Sequence, residues 1–392
     1  MIHLRGVSWD HVRGLGGVRA TADAFAASHD DMRIEWAARS LQAFADEPVD
    51  RLAERFDLIV LDHPAIGFAV ARGCLLPVDE HLDTAFLDEL RSSTVGRSFE
   101  SYEWEGHVWA LPIDAAAQVA SYRPDLLDRI GAKVPRTWGD VVDLAELARS
   151  VGAWVAFPSI PVDAVLAFLA ICLSLGEEPC ERDDVIVSRD TGVRALETLR
   201  HVVAASHPDG TSWNPPSMLE RMSSTDELVY CPLAFGYSNY ARPGFRPEVV
   251  RFAPGPSGDD GVPRGTLGGA GLAVSAHSRS AGAAIEYARF VADAKTQRTV
   301  YFEGGGQPGH RAAWTDPAVN ASSSDFFADT LPALDAAWLR PRYDGVIEFQ
   351  ERGGELINSW LRDGGDAGAV LNALDTWYAD SMRTGERRGV SR

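Results

Sequence analysis

Gly106-His107-Val108-Trp109-Ala110-Leu111-Pro112-Ile113-Asp114 leads, four residues on, into Val119-Ala120-Ser121-Tyr122-Arg123-Pro124-Asp125-Leu126-Leu127. The first stretch reads as a strand that approaches a proline. The second carries the chain onward as a further strand, with an acid, Asp114, just past the crossing at Pro112.

Working outward toward the N-terminus, Asp57-Leu58-Ile59-Val60-Leu61-Asp62 is an apolar run typical of a strand buried on both faces. A helical piece from Val49 to Phe56 leads into it, and a helix over Ile66 to Arg72 follows. Ile2, Leu4 and Val7 outline a first strand, Val18, Ala22 and Phe25 fall at helical spacing, and Met32 to Trp36 fits a second strand. Strands alternating with helices argue for the α/β class and a mostly parallel sheet, whose ligand crevice lies beyond the carboxyl ends of the strands. Two loops at that position hold Trp9-Asp10-His11 and Asp62-His63-Pro64, each an acid beside an imidazole.

The chain has 392 residues, 45% hydrophobic and 24% charged, which is long for one core and makes two lobes the expectation. A formal net charge of −19 repels phosphate backbones and anionic membranes. Arg387 and Arg388 form the nearest approach to a basic patch and read as a solvated tail, so no nucleic acid is expected as a partner. No apolar run nears the roughly 20 residues of a bilayer span, so no membrane insertion is expected. Met1 to Asp10 goes straight into a strand without a basic start or an apolar h-region, so a cytoplasmic location is expected, periplasmic or extracellular only if a leader was removed. Cys74, Cys172, Cys180 and Cys231 are scattered, without a metal or redox spacing, and read as free buried thiols.

With Gly73-Cys74-Leu75-Leu76-Pro77-Val78-Asp79 before it and Pro135-Arg136-Thr137-Trp138-Gly139-Asp140 after it, the opening stretch resembles the bacterial extracellular solute-binding family that includes maltose-binding proteins. The resemblance continues through Leu267-Gly268-Gly269-Ala270-Gly271-Leu272-Ala273-Val274-Ser275, a helix from Ala281 to Ala292, and Gly304-Gly305-Gly306-Gln307-Pro308-Gly309-His310-Arg311. It implies a two-lobed periplasmic-binding-protein-like fold of type II, with a hinge and an interlobe cleft. Each lobe is then discontinuous: residues 1–112 plus 265–312 in the first, 113–264 plus 313–392 in the second, with crossings near Pro112 and Pro254. The start of the chain departs from the family pattern in carrying neither an export signal nor a lipid-anchor cysteine, and function does not follow automatically from fold.

The candidate site residues each have two readings. Trp9, Asp10 and His11 form either a ligand-facing cluster or a loop into a helix, with Asp10 capping and Trp9 packing. His63 beside Asp62 points either at the crevice or at a backbone carbonyl. The resemblance places ligand contacts around Asp114 and around Tyr237 and Tyr240 in Ala234-Phe235-Gly236-Tyr237-Ser238-Asn239-Tyr240. Aromatics on such loops stack on sugar faces, whereas Trp213 and Tyr122 read equally as edge cover and core. Gly269 and Gln307 lie in segments that carry the resemblance and join the ligand-binding candidates. His310 and Arg311 either neutralise an anionic group of the ligand or face water.

Gly304 to Gly309 matches G-x-G-x-x-G but follows a helix and holds Pro308, so a cleft-rim loop is the better account than a dinucleotide site. His11, His63 and His310 show no zinc-type spacing, so neither metal nor cofactor is expected. Trp338, Trp360, Trp377 and Tyr378 read as helix positions packing on the second lobe.

Three functions remain open. One is a solute-binding protein closing on a small polar molecule, carbohydrate-like or carboxylated, with an ABC permease as partner if exported. Another is a cytoplasmic enzyme on the same scaffold, with Asp10, His11, Asp62, His63 and Asp114 in general acid–base roles. The third is a cytosolic sensor.

Overall fold

A computed structural model describes residues 1–41, 44, 47–258 and 261–387. Its ten strands are β1 (Ile2–Trp9), β2 (Met32–Arg39), β3 (Leu58–Leu61), β4 (Glu103–Trp104), β5 (His107–Val108), β6 (Leu111–Tyr122), β7 (Trp154–Val155), β8 (Leu228–Phe235), β9 (Arg251–Ala253) and β10 (Leu267–Val274). One eight-stranded sheet has the order β2-β1-β3-β10-β6-β8-β7, with β9 also on β6, while β4 and β5 pair separately.

β1 is parallel to β2 and β3, and β7 to β8. β10, however, runs antiparallel to both β3 and β6, and β6 antiparallel to β8 and β9. The sheet is therefore mixed where the sequence suggested a mostly parallel one. The βα alternation that prompted that expectation belongs to the first 60 residues, and the direction of β10, which joins from far along the chain, leaves no local trace.

β6 is the organising strand. Eleven of its twelve residues are buried. Its first half pairs with β10 from Leu111↔Leu272 to Ala117↔Leu267, and its second half with β8 from Gln118↔Phe235 to Tyr122↔Tyr230. Asp114, expected just past a crossing, instead lies inside this unbroken strand. Pro112 interrupts nothing because it stands opposite Gly271, where the register of β10 shifts. A residue without an N–H is tolerated at such an irregularity.

Among the described residues three hydrophobic cores pack on the sheet, one of them holding Met218, Tyr240, Trp314 and Phe326. Leu4, Val18, Phe25, Leu58, Leu90, Leu111 and Val291 belong to another. In the third, the helix Pro161–Ser174 is buried at every residue from Asp163 on and packs against helices Arg189–Ala205 and Val346–Asp363. Local chemistry sets the helix starts: Thr137 and Asp140 form a reciprocal capping box at Trp138–Ser150, and Asn214 with Ser217 does the same at Pro215–Ser224.

Several sequence boundaries shift. The second strand runs on to Arg39, and the helix after Pro48 ends at Ala53. Trp338 is not helical but lies in an extended segment bridged to Thr266, accepting from the N–H of Leu267 at 2.7 Å. Trp360 lies in the helix Val346–Asp363, and Trp377 and Tyr378 in Ala367–Arg387. Arg388 lies outside the described residues. All four cysteines are free thiols, Cys180 half-buried and the others buried. No described helix is long and apolar enough to cross a membrane.

Candidate functional site

The loop after β1 is shaped by close packing. Trp9 is buried with its ring 4.8 Å from Phe44, and a side chain at Gly14 would stand 2.4 Å from the same indole. His11 is the cap: its Nδ1 accepts from the Arg13 N–H at 3.0 Å, while Asp10 is exposed. The turn Val12–Gly16 then aims Arg13 inward. Gly16 comes so near the Gly304 carbonyl that a Cβ there would be 2.0 Å from its oxygen.

Arg13 reaches the centre of the molecule. Its Nε donates to Asp114 Oδ2 at 2.8 Å, its Nη2 to Oδ1 at 2.5 Å, and its Nη1 to the Gly236 carbonyl at 2.9 Å. The guanidinium lies 4.6 Å from the Tyr237 ring centroid, a cation–π distance. Burial raises the Asp114 carboxyl from its ordinary value, against the pull of the Arg13 charge and hydrogen bonds. Opposite Ala115, Gly269 has φ +113, and a Cβ there would lie 2.4 Å from the Asp114 carbonyl oxygen. Only glycine serves at that position.

The segment after β8 is held by amides. Gln307 Nε2 donates to the Ala115 carbonyl at 2.8 Å and its Oε1 accepts from the Ser238 N–H at 2.8 Å, while Asn239 donates to the Gly305 carbonyl at 2.9 Å. The glycine-rich loop thus locks the segment that follows β8. His11 crosses to that segment, its ring 4.9 Å edge-on from Tyr237 and 6.2 Å from Tyr240. Burial first, then the charges of Arg13 and Arg246, lower the His11 pKa to about 4, so the imidazole is neutral at pH 7. Burial pushes the Tyr237 phenol up to about 12. Tyr240 donates to Glu220 at 3.3 Å, and Glu220 also accepts from Arg246 Nε at 2.7 and 2.8 Å.

A second pair occupies the loop after β3. Asp62 accepts from Arg340 Nη2 at 2.9 and 2.7 Å and from the His63 N–H at 2.8 Å, and Arg340 Nε donates to the Leu267 carbonyl at 3.1 Å. Burial raises the Asp62 carboxyl, but Arg340 and His63 outweigh it and hold the group below the usual carboxylate range. His63 is sealed at 1% exposure, with Nδ1 3.1 Å from Asp62 and Nε2 lacking a hydrogen-bond partner. Burial, followed by the charge of Arg340, lowers its pKa to about 4. Asp62 and Asp114 are near enough for their charges to act on one another.

Other candidates lie apart from this group. His310 caps the next helical turn and meets Glu89 at 3.0 Å, and Arg311 pairs bidentately with Asp335 at 3.0 and 2.6 Å. Trp213 stacks on His207 at 4.8 Å. Tyr122 is half-buried at the end of β6. Among the described residues no cluster of three or more histidine, cysteine or carboxylate groups could hold a metal. Ala116, Gly236, Gln307 and Phe326 line a narrow apolar gap beside the amide-locked segment, too tight to admit a water molecule.

The sequence reading missed Arg13, Gly236 and Arg340. Arg13 carried one usable signal, its place two residues after His11 in a post-strand loop. Arg340 carried none, since its partner is 278 positions away.

The mixed α/β fold built around β6 is that of the two-lobed class of periplasmic-type binding proteins. Residues 20–328 match the family described as bacterial extracellular solute-binding protein, and the chain belongs to that family. Its structure is similar to maltose-bound MalE3 of T. maritima, with 20% identity, a TM-score of 0.83 and 98% of this chain and 100% of that one covered. It is also similar to an ABC transporter solute-binding protein from Agrobacterium radiobacter in complex with ribitol, at 19% identity and TM-score 0.82, covering 97% and 98%. UgpB from Mycobacterium tuberculosis, in complex with glycerophosphocholine, matches at 16% identity and TM-score 0.77, covering 96% and 98%.

Proposed function

We propose that this chain binds a small polyhydroxylated solute, a sugar or a polyol, between its lobes and presents it to an ABC permease. The observation that carries this reading is the meeting of His11 from the first lobe with Tyr237 and Tyr240 of the second. A neutral imidazole beside two tyrosine rings offers flat apolar faces with polar edges, which is what a sugar ring or polyol chain needs. Asp10 at the exposed mouth and the partly exposed Asp62 supply acceptors for hydroxyls. Asp114, Gly269 and Gln307 shape the floor beneath them, and the Arg13 contacts hold the lobes together. The maltose, ribitol and glycerophosphocholine bound to the three similar structures support a ligand of this kind.

The test is calorimetric titration with a panel of mono- and disaccharides, pentitols, hexitols and glycerophosphocholine. At least one binds, and Tyr237→Ala weakens it by about tenfold or more, the scale of a lost aromatic contact. A panel without a single binder sinks the reading.

A further inference from the structure

β1 and β8 stand on opposite sides of β6 in the sheet, and the loops that follow them meet. Arg13, after β1, donates from Nη1 to the Gly236 carbonyl just past β8 at 2.9 Å, while its Nε and Nη2 hold Asp114 on β6. The glycine-rich loop, which packs on Gly16, adds a second connection. Its Gln307 donates from Nε2 to the same Gly236 carbonyl at 3.2 Å and accepts at Oε1 from the Ser238 N–H at 2.8 Å. From the segment after β8, Asn239 Nδ2 donates to the Gly305 carbonyl and Arg242 Nη2 to the Phe302 carbonyl, both at 2.9 Å. Arg13, Ser238, Asn239 and Gln307 are buried, and the gap beside Gly236 and Gln307 is too tight for a water molecule. The protein's own groups thus close the seam between these loops.

The closure is polar and incomplete, which sets it apart from a core. Ser238 Oγ, Asn239 Oδ1 and Arg242 Nε are cut off from solvent there without a hydrogen-bond partner. A buried polar atom left unmatched has lost its hydration for nothing, so admitting water to the seam relieves all three. Against that relief stand the Gln307 bonds, the charge-assisted bond from Arg13 to Gly236, and the guanidinium 4.6 Å from the Tyr237 ring centroid. Opposed contributions of this kind let one interface hold two arrangements, as hinge closure requires. Only one bond of Arg13 reaches past β8, so that bond can break while the pair with Asp114 stays whole.

We propose that Arg13 is a latch that holds the seam closed on the protein's own contacts, with Gln307 as a second catch, and that a solute enters when the guanidinium releases the Gly236 carbonyl. This rests on the solute-binding reading above, which puts the solute between the lobes, and adds how access to that place is governed.

The test is small-angle X-ray scattering of the full chain without any sugar or polyol. A compact chain of 392 residues has a radius of gyration of about 21 Å, and the native protein scatters as the closed structure. Arg13→Ala swells by on the order of 1 Å as the hinge opens. Millimolar methylguanidinium, which refills the place between Asp114 and Gly236, reverses the swelling, whereas tetramethylammonium, without N–H groups, does not. Arg13→Lys keeps a charge beside Asp114 but lacks the fork to reach Gly236 as well, so it swells too and serves where Arg13→Ala fails to fold. A native protein more extended than the closed structure overturns the inference. So does a swollen Arg13→Ala that methylguanidinium leaves unchanged. An Arg13→Lys that scatters as the native protein while its Tm falls by several degrees gives the arginine a structural role and overturns it as well. All three results leave the calorimetric panel, and with it the solute-binding reading, standing. A panel without a binder removes that reading, while scattering of the ligand-free chain still decides whether the seam is latched.

Discussion

Two aspartate–arginine pairs hold the centre of this molecule, the first a two-nitrogen fork from Arg13 onto Asp114 and the second a single nitrogen of Arg340 shared by both Asp62 oxygens, in different surroundings. The Arg13 and Asp114 side chains are 5% and 0% exposed, whereas Asp62, opposite the buried Arg340, keeps 30%. Where both partners are sealed, desolvation governs and the carboxyl is raised even beside a guanidinium. At Asp62 the charges of Arg340 and His63 together outweigh burial and the carboxyl is lowered. The number of charges facing the carboxyl therefore helps decide what a pair contributes. In the sealed pair each partner is chiefly the remedy for the other's burial.

The largest effect expected from that difference is at Asp114. Asp114→Ala leaves the Arg13 charge buried and costs about 3–5 kcal/mol in urea unfolding, and the double change Arg13→Met with Asp114→Leu recovers more than half of it. A single variant no more damaging than one at Arg340 would break the comparison.

Arg340→Met removes charged hydrogen bonds in a wetter place and costs about 1.5–3 kcal/mol. Because Asp62 is held below its unfolded value, its contribution is complete above about pH 4 and is lost as pH falls through the lower folded value. The stability gap between native protein and variant thus narrows below pH 4. A gap that stays constant from pH 7 to pH 3 would show that the ion pair is not its source.

At pH 7 the smallest effect is at His11. Its pKa falls from 6.5 to about 4 on folding, so neutral His11 stabilises the protein above pH 6.5 and that contribution is lost as pH drops through 4. His11→Gln is therefore near neutral at pH 7 and flattens the decline of Tm over this interval, by up to about 3 kcal/mol. His63 titrates in the same direction, so a residual slope remains in the variant and vanishes when both are replaced.

What could be read from the chain follows the range of the interactions involved. The apolar run at Leu58–Leu61 and the succession of short motifs from Gly73 to Arg311 are local, and they led to the fold class. The post-strand loops carrying His11 and Asp62 were legible for the same reason. Arg13 and Arg340 were not, because their meaning lies in partners 101 and 278 residues away. The antiparallel course of β10 was likewise set by long-range pairing.

β6 also decides how the protein can be made. Because its two ends are laced into different neighbours, β10 at one and β8 at the other, dividing the chain into separately expressed halves would give the strand to one half and leave the other with a bare hydrogen-bonding edge. Such an edge recruits other chains. The two halves are therefore bound to a common synthesis, and neither can serve as an independent module for crystallography, grafting or sensor design.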